Sequence, residues 1–136
     1  MPVTGDPLLS GVAGDGSLLT GVGGILTVAE TEVFTGAAPL AWTDLDLSGT
    51  VGAQSTLVIL KVAHTLAGPT IAVRKNGDTD EYFNDAAGIG AACTRSDVAA
   101  NFHAILVVVT DASGIIEWMS AHNDITATID VIAYIK

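Results

Sequence analysis

Asp124-Ile125-Thr126-Ala127-Thr128-Ile129-Asp130-Val131-Ile132-Ala133-Tyr134-Ile135 alternates between apolar and polar side chains over most of its length. A β-strand turns successive side chains to opposite faces. Ile125, Ala127, Ile129, Val131, Ala133 and Ile135 are therefore expected on one face, and Thr126, Thr128, Asp130, Ile132 and Tyr134 on the other. One face against a core and one against water is the signature of an antiparallel sheet.

Working back from this segment, the same kind of signal recurs. Runs rich in Val, Ile and Thr are broken by Gly, Asn, Asp and Pro at intervals of about 8 to 12 residues, the spacing of a sandwich or barrel. Strands are predicted over 25–34, 41–47, 55–64, 70–74, 81–84, 99–110, 115–120 and 124–135, and no long segment carries a helical period. The expected fold is all-β, an antiparallel β-sandwich of jelly-roll type with about eight strands, or else a meander. Lys75-Asn76-Gly77-Asp78 reads as a type I′ hairpin turn. Asp111-Ala112-Ser113-Gly114 reads as a type I turn with its glycine left-handed, and Ala67-Gly68-Pro69 closes the strand from Ser55.

Two strands are apolar on both faces: Thr56-Leu57-Val58-Ile59-Leu60 and Ala104-Ile105-Leu106-Val107-Val108-Val109. An antiparallel strand tolerates this when its outward face is also covered, and a subunit interface would cover it. Composition points the same way. Of 136 residues, 49% are hydrophobic and 15% charged, sparse against the roughly 25 to 35% charged surface of a comfortable monomer. A homo-oligomer is expected.

Fifteen acidic residues against five basic ones leave a net charge of −10. Lys61, Arg74, Lys75, Arg95 and Lys136 are scattered, so no stripe that neutralises phosphates is available, and nucleic acid and anionic membranes are not expected partners. No stretch reaches the ~18 apolar residues of a membrane span, and Met1 to Leu9 has no basic region of the kind that opens a secretion signal. The single cysteine, Cys93, excludes an intramolecular disulfide and reads as a small buried residue.

Residues 1–24 form a separate unit, an extended Gly-rich arm, ahead of a β-domain over 25–136. Leu8-Leu9-Ser10-Gly11-Val12-Ala13-Gly14 returns ten positions later as Leu18-Leu19-Thr20-Gly21-Val22-Gly23-Gly24. Two copies are too few to bury their own apolar pairs. Leu8, Leu9, Leu18 and Leu19 are thus assembly candidates, packing on the domain behind them or on the arm of another copy.

The search for chemistry is short. The arm's glycines lack a Gly-Lys-Ser/Thr ending and precede strands, so they do not cradle a nucleotide. His64, His103 and His122 stand in no metal-binding spacing. They read as surface or rim residues, with a site at a trimer axis, one histidine per chain, as the other reading. Cys93 has no histidine near it in sequence, and no serine lies in a nucleophile elbow. Asp78, Asp80 and Asp85 are Ca²⁺ candidates by their oxygen ligands, although Gly77 precedes the acids, unlike an EF-hand loop, and a solvated acidic loop is the preferred reading. Asp44 and Asp46 read as solvent-facing. Trp42, Trp118 and Tyr82 would stack on a sugar in a lectin; Trp42 and Trp118 read first as core or interface anchors. No catalytic residue, bound metal or cofactor is assigned.

The arm, Gly14-Asp15-Gly16-Ser17-Leu18-Leu19-Thr20-Gly21-Val22-Gly23-Gly24, resembles short repeats in tail-fibre and related appendage proteins of tailed bacteriophages. The region from Trp42-Thr43-Asp44-Leu45-Asp46-Leu47-Ser48 through Asn76-Gly77-Asp78-Thr79-Asp80 to Val107 to Trp118 is similar to a small β-domain of phage structural proteins. The resemblance implies a non-enzymatic homotrimer on a virion, as a capsid decoration, head fibre or small tail appendage. Its arm would meet other virion proteins, and no catalytic residue carries over. The chain is shorter than long tail fibres and lacks their shaft and adhesin tip, which favours a decoration or small spike. The alternative from the residues is a carbohydrate-binding, lectin-like jelly roll, with or without Ca²⁺ as a requirement, meeting a host-surface glycan.

Overall fold

The computed structural model describes residues 24–65, 71–79, 102–122 and 124–136. These are mostly strand: β1 (Leu26–Ala37), β2 (Thr43–Asp46), β3 (Leu57–His64), β4 (Ile71–Lys75), β5 (Phe102–Val109), β6 (Ile115–Ser120) and β7 (Thr126–Ile135). One helical turn, α1 (Ser48–Val51), follows β2. The expected strand over 81–84 lies outside the described residues, as do Leu8, Leu9, Leu18, Leu19, Asp80, Tyr82, Asp85 and Cys93.

Two antiparallel sheets result, a four-stranded one in the order β1-β7-β3-β5 and a three-stranded one in the order β2-β6-β4. Each described strand pairs only with strands distant in sequence. A meander is therefore excluded among the described residues. β5 and β6 belong to different sheets, so the turn over 111–114 is a corner between sheets and not a hairpin. Its local form is as expected: Gly114 N–H donates to the Asp111 carbonyl at 3.2 Å and Gly114 has φ +83. The turn at 75–78 differs, because Gly77 has φ +78 while Asn76 does not have positive φ. A type I′ turn needs both; a glycine alone at the third position fits type II. The Asn76 side chain donates instead to Asp111 Oδ2 at 2.9 Å.

Both sheets contribute to one apolar core. Val58, Leu60 and Val62 of β3, Leu106 and Val108 of β5, and Ile129 and Val131 of β7 meet Leu45 of β2, Ile71 and Val73 of β4, and Ile116 and Trp118 of β6. Burying such aliphatic side chains fully stabilises by about 1.5 to 3 kcal/mol each. Thr56 and Thr110, buried where β3 and β5 meet the loops, are satisfied by each other and by the Gln54 carbonyl: Thr110 Oγ1 accepts from Thr56 N–H at 2.9 Å and donates to Gln54 O at 2.8 Å.

β7 departs from the simple alternation. Ile125, Ala127, Ile129 and Val131 face inward as expected. Ile59 of β3 then pairs with Ala133 and Leu60 with Val131, which leaves Ile132 as an extra residue in β7. One added residue inverts the phase of everything beyond it. Tyr134 turns into the core, 9% exposed, and Ala133 and Ile135 turn outward, reversing the faces expected for all three. β1 bulges opposite this point, between Val28 and Thr31, and again between Glu32 and Phe34. Glu30, in the first of these bulges, has φ +48, the positive region that glycine favours.

Candidate functional site

The residues singled out for chemistry do not come together. Trp118 is in the core, 2% exposed, with Phe34 edge-on against it at 4.6 Å between centroids. It is the core anchor expected first, and no face of its ring is open to stack on a sugar. Trp42 is half-buried, and the Arg74 guanidinium covers one face of its indole at 4.0 Å. Arg74 in turn donates from Nε to Glu117 at 2.6 Å, and both side chains are largely shielded from water. Asp44 stands in register with Glu117, which stands in register with Arg74. The outward face of the β2-β6-β4 sheet thus carries a row Asp44, Glu117, Arg74.

His64 lies at the end of β3 with its side chain buried, 2% exposed, because even positions of that strand face the core. It is not the surface residue expected. His103, on β5, and His122, in the segment after β6, are both exposed. Among the described residues no three His, Cys, Asp or Glu side chains gather as a metal site. Asp78 is half-buried beside the 75–78 turn. Asp44 and Asp46 are exposed as expected, and Asp46 Oδ1 accepts the Ser48 N–H that opens α1, at 2.8 Å. The hydrogen bonds from Ser48 hold the Asp46 carboxyl below its ordinary range. The Asp46 carboxylate thus anchors the turn into α1.

What the fold does assemble is a surface, the outward face of the four-stranded sheet. Register pairs place Leu26, Ile135, Leu57 and Val109 side by side across all four strands, and Val28, Ala133, Ile59 and Val107 in the next row. Ile105 extends the block along β5. Val28 is 69% exposed, Leu26 and Ile105 are each 58% exposed, and Val107 is 49% exposed. Beyond it the face becomes polar, with Glu32, Asp130 and Lys61 in register, then Thr35, Thr128, Ala63 and His103. Thr35 and Thr128 share a hydroxyl hydrogen bond at 3.2 Å.

The β3 and β5 contributions were visible as strands apolar on both faces. Leu26, Val28, Ala133 and Ile135 were not, because their exposure depends on bulges that no glycine or proline marks in the sequence. Among the described residues no helix is long and apolar enough to cross a membrane. Comparison with protein-family models, with curated proteins and with solved structures gave no match.

Proposed function

We propose that this chain is a non-enzymatic structural subunit, a homotrimeric jelly roll displayed on a bacteriophage virion as a capsid decoration, head fibre or small tail appendage. The observation that carries the reading is the strand order. In a jelly roll, strands cross repeatedly between two sheets, and the described strands alternate sheets at every step from β1 to β7. Virus capsid and lectin domains share this architecture.

Fold alone does not separate those two uses, and the tryptophans favour the first. A lectin platform needs an open aromatic face, whereas Trp118 is buried and one face of Trp42 is taken by Arg74. The phage-like arm and domain motifs supply the virion context. Light scattering coupled to size exclusion on the full chain is expected to return the trimer mass at micromolar concentration. A monomer there would overturn the reading. Antibodies against the protein are expected to label released phage particles at regular positions by immunogold electron microscopy, and unlabelled particles would remove the virion assignment.

A further inference from the structure

We infer that the apolar half of the outward face of the β1-β7-β3-β5 sheet is the contact through which copies of this chain assemble. The inference rests on the self-assembling reading above and names its surface and its occupant, a second copy of the same chain.

Three observations support it. The first is extent: Leu26, Val28, Ile105, Val107 and Val109 are each 40% or more exposed, and with the half-buried Leu57, Ile59, Ala133 and Ile135 they form one contiguous apolar area on the order of several hundred Å², the size that marks an interaction site on a monomer and a large part of what one partner gives to a standard interface. The second is charge. Each copy carries a net charge of −10, so a contact between two copies is least opposed where carboxylates are absent. The two apolar rows contain none; Glu32 and Asp130 stand in the neighbouring row, in register with Lys61. The outward row of the other sheet carries Asp44, Glu117 and Arg74 instead.

The third is the bulges. Their effect is to turn Ala133 and Ile135 out of the core, opposite Val28 and Leu26 of β1, and so to complete the block across all four strands. A monomer gains nothing from exposing them.

The test uses the full chain with Val107→Lys and, separately, Val28→Lys, which lie on different strands of the block. Thr126→Lys, at the polar end of the same face, is the control for added charge. Lysine buried in a contact without a partner is expected to raise the dissociation constant about a hundredfold, read as a shift toward monomer mass in light scattering. Thr126→Lys should keep the wild-type mass. If the wild type is oligomeric and both block variants stay oligomeric, the contact lies elsewhere while self-assembly stands. If the wild type is monomeric, both readings fail.

A measurement on the wild type guards against variants that do not fold. On dilution through dissociation, Nile red emission per chain should rise as the face is uncovered. Falling mass with flat emission would overturn the assignment of this face.

Discussion

Gly114 shows how tightly one residue can hold this fold. Its φ is +83, and a Cβ placed there would lie 2.6 Å from the Gly52 carbonyl oxygen and 3.0 Å from Ser48 Cα. Its own carbonyl accepts the Leu47 N–H at 3.0 Å, so the corner between β5 and β6 is seated against α1. Gly114→Ala is expected to cost about 3 kcal/mol from backbone strain and overpacking together. Gly49→Ala, where a Cβ meets nothing within 4 Å, should change little. Urea denaturation of the two variants checks this, and similar losses in both would remove the close approach as the cause.

Asp111 ties the same corner to the turn after β4. Oδ1 accepts from Ile115 N–H at 2.9 Å and Ser113 N–H at 2.8 Å, while Oδ2 accepts from Asn76. The Ile115 hydrogen bond foremost holds this carboxyl below its ordinary range. The unfolded chain, with aspartate near its usual ~3.9, therefore takes up the proton first on acidification. The carboxylate's stabilising contribution is fully present above that value and is lost as pH falls through the lower folded one. Wild-type Tm is expected to drop as pH falls from about 5 toward 3. Asp111→Asn should start lower at pH 6 and decline less steeply. Parallel curves would show that Asp111 is not a source of the acid sensitivity.

At the scale of elements, the informative departure is β7. Period-two alternation is a local property and was legible from Ile125 to Val131. The bulge at Ile132 is set by β1 and β3, whose registers on either side do not agree with an unbroken ladder, and no residue in β7 announces it. The consequence is a reversed order of sensitivity. Tyr134→Ala is expected to cost about 3 kcal/mol or more, because the ring is in the core. Ile135→Ala, on the outward face, is expected to cost about 1 kcal/mol or less of monomer stability. Urea unfolding, at dilutions where the midpoint no longer depends on concentration, distinguishes the two. Uninterrupted alternation would require the opposite ranking.

At the scale of the whole molecule, every described strand pair joins segments distant along the chain, from β3 with β5 to β1 with β7. Strand positions were nonetheless close to those read from the sequence: β6 spans the residues expected, β3 and β5 fall inside the predicted limits, and β1 runs three residues further, to Ala37. α1 went unread because a single turn anchored by Asp46 has no period to detect.

Composition and alternation were enough to establish an all-β chain, its approximate strands, and two strands too apolar to face water on either side. Those properties follow from side-chain spacing, which is local and repeats every two residues. Which strands pair, that the 111–114 turn crosses between sheets, that Trp118 is sealed inside, and that Leu26, Val28, Ala133 and Ile135 join Leu57, Ile59, Val107 and Val109 on one outward face were decided only in three dimensions. Register and bulges depend on how distant strands fit around a shared core, and that fit is a property of no single segment.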